Sequence, residues 1–264
     1  MEFSIPKKML MGVSTASMQI EGGQLDTNWN DWYRRGFIKD GTDPSVANDH
    51  WKYWREDTAL MGEMGLQLYR ISAKLTSYLF QDALTKAMTL GDFPFPMRNF
   101  AHLPKGEYTD FIGLNYYSRS TVSGIGDGVR ENCPKTDLDW EIYPQGLVDC
   151  ARRLYEVLPR PIWVTENGTC DNNDRFRCRY LYDHLKVISQ SDLPFERYYH
   201  WCFCDNFEWV EGNSSRFGLV SVDPETRVRT VKKAGRFYSE VIQKGGVTKE
   251  IYQNYVADQR YDVR

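Results

Sequence analysis

A short apolar run that stops abruptly at an acid most constrains what this 264-residue chain can fold into. Residues 161–168 read PIWVTENG, so Glu166 and then turn-forming residues follow directly on the apolar segment. An apolar run of this length is typical of a buried strand in a parallel sheet, and a glutamate at its carboxyl end would project into the mouth of an α/β barrel. Most glutamates after a strand are caps or solvated loop residues, so this one needs support from elsewhere in the chain.

Other runs share this form, since each is strand-like and ends in amide, aromatic or acid groups. The predicted strands are residues 9–17, 66–72, 110–117, 161–166 and 195–204. A glycine-closed turn is expected at 18–23, and residues 205–209 (DNFEW) bring an acid and a tryptophan just beyond the last strand. The pattern predicts one sheet edge that collects polar and aromatic side chains.

Segments with apolar residues at helical spacing alternate with these strands. Residues 48–64 interleave apolar and charged side chains and end before Gly65, the pattern of an amphipathic helix laid on a sheet. Further helices are predicted at 147–158, 175–189 and 232–243, with a polar loop at 118–136 and a closing hairpin near 217–223. A chain of this length fits a single α/β barrel of roughly 250 residues.

Composition excludes several classes of partner. The 33 basic and 36 acidic residues are spread along the chain and give a net charge of -3, which leaves no electrostatic footprint for nucleic acid or an anionic membrane. No apolar segment follows the basic residues at the start, so a cytoplasmic protein is expected. The six cysteines have no CxxC pairing and are expected to be reduced core thiols, at positions 133, 150, 170, 178, 202 and 204.

The motifs QIEG, YRIS, NYY, TENG and FEW, in that order, resemble the family 1 glycoside hydrolases, the retaining β-glucosidases and their relatives. The resemblance covers residues 9–72 and 78–243 and implies a TIM (β/α)8 barrel. It implies that Glu166 is the nucleophile, with Arg70 and Tyr117 supporting it; Tyr117 is preferred to Tyr116. The residues that the resemblance assigns to sugar binding are Gln19, Asn115, Trp201, Glu208 and Trp209.

Two of these assignments keep a structural alternative. An amide can donate to and accept from sugar hydroxyls at once, yet Gln19 could equally stabilise the turn in which it lies. Arg70 could pair with a core carboxylate rather than with the nucleophile. Neither alternative is decided by the residues alone.

The resemblance breaks after Ser72, because the family's third, fourth and fifth strands are missing. Residues 78–98 resemble the helix and proline-rich loop that precede the sixth strand, and no Asn-Glu-Pro tripeptide occurs. The expected fold is therefore a single truncated barrel lacking about three βα units, with units at 1–72, a junction at 73–109, and units at 110–264. Its open edge would be covered by a second copy of the chain or by residues 73–90, and a homo-oligomer is the expected state.

The missing tripeptide carries the family's acid/base, so that residue is unknown here. Retaining glycosidases need two carboxylates about 5–5.5 Å apart, and only one is identified. Substitute acids without any preference among them are Glu21, Asp82, Glu107 and Glu211. Three functions compete: a weak β-glucosidase-type enzyme, a catalytically inactive sugar-binding protein, and a structural half-barrel assembly element. The ligand expected is a sugar or β-glycoside, without a metal or cofactor.

Overall fold

The computed structural model describes residues 2–21, 28–72, 89–91, 104–123 and 126–264. The strands are β1 (Phe3–Ser4), β2 (Leu10–Ala16), β3 (Leu68–Ser72), β4 (Ile112–Asn115), β5 (Thr121–Ser123), β6 (Gly126–Gly128), β7 (Pro134–Lys135), β8 (Ile162–Asn167), β9 (Phe195–Trp201), β10 (Val220–Val222), β11 (Arg229–Val231), β12 (Gly246–Val247) and β13 (Asp262–Val263). The helices are α1 (Ser17–Ile20), α2 (Asn28–Arg34), α3 (His50–Glu63), α4 (Gln145–Val157), α5 (Arg177–Ser189), α6 (Lys233–Lys244) and α7 (Lys249–Tyr255).

Five parallel strands form the central sheet, in the order β3-β2-β9-β8-β4. The last of these strands in the chain lies beside the first, which is the pairing that closes a barrel between its eighth and first strands. The prediction of strands one, two, six, seven and eight is confirmed. Among the residues described, β3 and β4 each pair on one side only, so the sheet is a partial barrel with two open edges.

Burial on both faces explains why the inner strand β2 forms. Six of the seven residues of β2 are buried, as expected of a parallel strand covered by helices on one side and by packed side chains on the other. On the outer face, Leu181, Leu185 and Ile188 of α5 recur at helical spacing and are fully buried. The Tyr238 hydroxyl of α6 donates a buried 2.8 Å hydrogen bond to the Gly12 carbonyl of β2. Helix and strand are thereby tied together across most of the chain.

Several predicted boundaries are corrected by the structure. A short helix, α1, replaces the turn predicted to begin at residue 18, and β9 ends at Trp201 rather than at residue 204. The polar loop predicted at 118–136 contains β5 and β6, which pair with each other as a short antiparallel ladder, and β7, which pairs with β13. Helices α2 and α7 were not predicted. Most of the residues 73–90 expected to cover the open edge lie outside the described part of the chain, as does most of the segment 78–98.

The cysteines and the helices bear on two further predictions. All six cysteines are free; five are buried and Cys150 is exposed, so a core position is wrong for Cys150, which lies on the outer side of α4. Within the described ranges, no helix is long and apolar enough to cross a membrane.

Candidate active site

Several of the predicted site residues meet at the carboxyl edge of the sheet. Glu166 is the penultimate residue of β8, Trp201 is the last residue of β9, and Tyr117 lies two residues beyond β4. Gln19 lies in α1, directly after β2. Because parallel strands end at one edge of their sheet, four separate segments deliver these side chains to one place, which is where barrel enzymes keep their active sites.

A hydrogen bond joins Tyr117 to the proposed nucleophile. The Tyr117 hydroxyl donates to Glu166 Oε2 at 2.8 Å, whereas the Tyr116 hydroxyl donates to the Tyr143 carbonyl at 2.6 Å. Burial, and then the negative charge of Glu166, raise the pKa of Tyr117 well above its usual value. The phenol therefore keeps its proton and remains a hydrogen-bond donor to the carboxylate over the whole neutral range.

Glu208 forms the second acidic group of the site. Burial raises the pKa of Glu208 to about 8; hydrogen bonds from Trp201 and Gln19 oppose this shift, and the charge of Glu166 adds to it. The Gln19 amide nitrogen donates to Glu208 Oε2 at 3.2 Å. At neutral pH the Glu208 carboxyl is mostly protonated, so it can donate as well as accept a hydrogen bond.

Gln19 and Trp201 complete this side of the site. The Oε1 atom of Gln19 is buried and has no hydrogen-bond partner among the described residues, so it is available to a ligand hydroxyl. The chain passes close beneath Trp201, since a Cβ at Gly168 would lie 1.8 Å from the Trp201 carbonyl oxygen. Only glycine fits at this point, directly after Glu166 and Asn167.

Aromatic rings enclose these polar groups. Trp201 packs in a buried cluster with Ala16, Cys170, Cys202 and Phe217, against which Tyr117, Leu138, Trp140 and Trp209 are half-buried. The rings of Tyr117 and Trp140 lie 6.1 Å apart, and those of Trp140 and Phe217 lie 6.0 Å apart. Trp140 and Phe217 were not among the predicted site residues. Both lie in segments rich in aromatic residues, but the spacing of those residues does not predict that their rings would enclose the site.

Arg70 and Asn115 are the remaining predicted residues. Arg70 belongs to β3 and pairs with Ser14 of β2, and its side chain lies outside the described part of the structure. Asn115 is exposed and its Oδ1 accepts a 2.6 Å hydrogen bond from the Thr165 hydroxyl, next to a register shift between β4 and β8. The roles assigned to both residues stay predictions.

The candidate acids differ in where they lie. Glu107 pairs with Arg160, just before β8 begins, so it lies at the amino end of a strand whose carboxyl end carries Glu166, roughly 15 Å away. Glu211 pairs with Lys39 at 2.6 Å in the turn that follows Glu208. Glu21 follows α1 on the site side of the sheet, and Asp82 lies outside the described residues. The geometry removes Glu107 as an acid/base candidate.

No group of His, Cys, Asp and Glu side chains suited to hold a metal ion occurs in the part of the chain that the structure describes. The site consists instead of carboxyl, amide, phenol and indole groups. A barrel edge with these groups defines a protein of the glycoside hydrolase type.

Comparison with known proteins gives the family. The sequence pattern of Glycosyl hydrolase family 1 matches residues 1–79 and 94–247, which is most of the chain, and the chain belongs to this family. The match extends beyond the 9–72 and 78–243 expected from the motifs, except that it omits 80–93. This gap falls at the junction between β3 and β4, where the resemblance of the motifs also breaks.

Curated relatives agree with the family but are longer. The chain is 34% identical over 188 residues to 1,4-beta-D-glucan glucohydrolase of Thermotoga neapolitana, which covers 60% of this chain and 42% of the relative. Over the same number of residues it is 36% identical to Beta-glucosidase A of Thermotoga maritima, with the same two shares. The chain therefore spans less than half the length of these relatives.

Solved structures share the fold. The family 1 β-glucosidase of Thermotoga maritima aligns with a TM-score of 0.75 and 21% identity, over 93% of this chain and 99% of that chain. The β-glucosidase of the same organism in complex with deoxynojirimycin aligns with a TM-score of 0.78, also at 21% identity, over 93% and 100%. The partial sheet is thus part of a family 1 TIM barrel.

Proposed function

We propose that this chain is a weak retaining β-glycosidase that acts on β-D-glucosides or related β-glycosides, with Glu166 as its nucleophile. The observation that carries the proposal is the 2.8 Å hydrogen bond from the Tyr117 hydroxyl to Glu166 Oε2 at the carboxyl edge of the sheet. A carboxylate held in one orientation by a half-buried donor is prepared to attack a carbon atom that faces its other oxygen.

The first chemical step needs few groups of the protein. An oxygen of Glu166 forms a bond to the anomeric carbon while the bond to the leaving oxygen breaks, and that oxygen departs with the electron pair. Water then adds to the anomeric carbon, Glu166 is released, and the water's proton passes to solvent. Since no acid/base is identified, leaving groups that are stable as anions should react, whereas unactivated glucosides should lose roughly 10²–10⁴-fold in rate.

The other groups of the site would hold the sugar. Gln19 Oε1 and the protonated carboxyl of Glu208 offer an acceptor and a donor to hydroxyl groups. Trp201 would pack against the apolar face of the ring, with Trp209 beside Glu208, and Arg70 and Asn115 are proposed to act as the family resemblance implies. This assignment is supported by the relatives named β-glucosidase and glucan glucohydrolase, and by the neighbouring structure that holds deoxynojirimycin.

A second candidate function is a sugar-binding protein without catalysis. It is favoured by one specific observation: Gln19, Trp201 and Glu208 meet in one place, while no second carboxylate suited to acid/base work is identified among the residues that the structure describes. A third candidate, a structural half-barrel element that assembles with another chain, draws on the open edges of β3 and β4. In that case Gln19, Trp201 and Glu208 would be relics of an ancestral site and would bind no sugar.

The experiment that tests the proposal is labelling with an activated 2-deoxy-2-fluoro-β-glucoside. Its good leaving group makes an acid catalyst unnecessary for the attack, and intact mass followed by peptide mapping locates the adduct. We expect one label on Glu166 and none on a Glu166→Gln variant.

The alternatives give different results in the same experiment. An unlabelled chain that still binds glucose would overturn the enzyme and favour the binding protein. A folded chain that neither reacts nor binds glucose would overturn both and leave the structural role.

A further inference from the structure

A buried amide holds the chain segment that leads into Glu208. Asn48 lies two residues before α3 and is buried. Its Nδ2 atom donates to the Asp205 carbonyl at 2.6 Å and to Cys204 Sγ at 3.2 Å. The loop before α3 is thereby fastened to the segment after β9, although the two are more than 150 positions apart in the chain.

The backbone on both sides of Asn48 has an unfavourable conformation. Ala47 has a φ of +45° and Asp49 has a φ of +54°. Residues with a side chain rarely occupy this left-handed region, and such a conformation persists only where surrounding contacts hold it. The strained loop is therefore shaped around the contacts that its middle residue makes.

A buried ion pair holds the backbone of Asn48 in place. Arg229 of β11 donates to the Asn48 carbonyl at 3.1 Å through Nη2, and to Asp57 Oδ1 at 3.0 Å through Nε. Asp57 is buried in α3, and its Oδ2 atom lies 2.8 Å from His50 Nδ1. Because the guanidinium is itself fixed by this carboxylate, the Asn48 amide is presented at a constant position.

The segment that Asn48 holds carries Glu208 three residues after Asp205. Between them, the amide of Phe207 donates to the Gln19 carbonyl at 3.3 Å. The Gln19 side chain in turn donates to Glu208 Oε2 at 3.2 Å. The position of the Glu208 carboxyl therefore depends on Asn48 as well as on Gln19.

Resting on the proposed function, we propose that Asn48 is a positioning residue that sets the place of Glu208 for the hydroxyl groups of the sugar. It acts through the Asp205 carbonyl and not on the substrate. The nucleophile stands on other elements, since Glu166 belongs to β8 and Tyr117, which donates to it, follows β4. Loss of the Asn48 amide should therefore weaken sugar binding and leave the rate of attack in the bound complex unchanged.

The test measures labelling by the activated 2-deoxy-2-fluoro-β-glucoside as its concentration is raised. Intact mass gives each rate, and the curve separates the half-saturating concentration from the maximal rate. Asn48→Leu keeps the branched shape of the side chain but cannot donate. We expect its half-saturating concentration to rise roughly tenfold, with a maximal rate within about twofold of that of the unaltered chain.

Two further variants make the result specific. Arg229→Lys keeps a positive charge beside Asp57 but loses the fork that also reaches the Asn48 carbonyl, so it should raise the half-saturating concentration by a smaller factor, about threefold. Gln259→Met is the matched control. Gln259 is also a buried amide that donates to a backbone carbonyl, that of Asp174 at 3.3 Å, but it lies beyond α7 and should leave both constants unchanged.

The other outcomes overturn the inference in different ways. A labelled Asn48→Leu variant with an unchanged half-saturating concentration would show that Asn48 does not position the sugar site. A fall in the maximal rate alone, or an equal rise in Gln259→Met, would show a general loss of structure instead. If Asn48→Leu does not fold, as judged by circular dichroism, Arg229→Lys decides by the same two constants. An unaltered chain that takes no label overturns the proposed function, and this inference with it.

Discussion

The Tyr198 hydroxyl donates a buried 2.6 Å hydrogen bond to Asn167 Oδ1, and so links β9 to β8 directly beside Glu166. The amide nitrogen of Asn167 donates to the Tyr116 carbonyl at 2.7 Å and to the Tyr180 hydroxyl at 3.0 Å. One fully buried amide thus fastens the ends of three strands and the adjoining helix. Because the pairing of β4 with β8 shifts register just before this point, the side chain replaces part of the backbone ladder.

Replacing this amide should be costly to the fold. Asn167→Ala leaves the Tyr198 hydroxyl and the Tyr116 carbonyl buried without their partner, and each stranded group costs about 1–3 kcal/mol. The Tyr180 hydroxyl keeps its hydrogen bond to the Tyr117 carbonyl. We expect the free energy of unfolding to fall by roughly 3 kcal/mol or more, measured by urea denaturation. Tyr180→Phe removes one of the three bonds together with the 3.3 Å hydrogen bond from the Tyr180 hydroxyl to the Tyr117 carbonyl, and should cost about 1–2 kcal/mol. Equal losses in the two variants would contradict a role in joining the strand ends.

The hydrogen bond from the Tyr117 hydroxyl to Glu166 gives a kinetic prediction. Tyr117→Phe removes a hydrogen bond to a charged group, which is worth about 1.5–3 kcal/mol, so labelling of Glu166 by the fluoroglucoside should slow roughly 10-fold to 100-fold. The rate is followed by intact mass. Tyr116→Phe is the matched control. It also removes the hydrogen bond of a phenol, but the Tyr116 hydroxyl donates to the Tyr143 carbonyl and not to Glu166. A similar slowing in both variants would count against Tyr117.

The loop that carries Glu208 is anchored by a buried ion pair. Lys232 Nζ lies 2.7 Å from Asp205 Oδ1, which also accepts from the amide of Gly218. Lys232→Met leaves the Asp205 carboxylate buried without its cation, and we expect a loss of about 3–5 kcal/mol in the free energy of unfolding. The neighbouring Lys233 pairs with the exposed Asp258 at 3.3 Å, so Lys233→Met should cost less than about 1 kcal/mol. Thermal and urea unfolding measure the loss of unfolding free energy in both variants. Equal losses would contradict the anchoring role of the Lys232–Asp205 pair.

Much of this architecture could be predicted because it depends on short-range pattern. The strands that carry Glu166 and Trp201 are apolar runs with polar ends, and parallel pairing brings such ends to one edge. The order of motifs then identified which strands were missing. The resemblance of these motifs to family 1, rather than the pattern itself, assigned Glu166, Tyr117, Gln19 and Glu208 to one site.

What could not be predicted depends on contacts between distant segments. Trp29 meets Trp209 across 180 positions of the chain, and α2, at seven residues, is too short for the spacing of its aromatic residues to predict a helix. The register shift near Asn115 arises from how β4 is joined to β8, and the raised pKa of Glu208 arises from burial by other elements. The sequence gives the identity of these residues but does not show which distant residues surround them in the fold.

The buried carboxyl of Glu208 gives the chain a pH-dependent stability of unusual sign. Its pKa is about 8 in the folded chain, against an ordinary value of 4.5, so the folded state binds a proton that the unfolded state releases. This contribution to stability is complete below pH 4.5, is lost as the pH rises, and is fully absent above pH 8.

Glu208→Gln cannot ionise and should remove this dependence. We expect its free energy of unfolding to match that of the unaltered chain near pH 4.5, and to exceed it by up to about 4–5 kcal/mol near pH 9, because the variant no longer buries a charge. Urea denaturation at the two pH values measures the difference. Glu211→Gln, in the same turn, is the control and should leave the pH dependence of the unaltered chain in place. A Glu208→Gln curve parallel to that of the unaltered chain would show that Glu208 is ionised in the folded state at neutral pH.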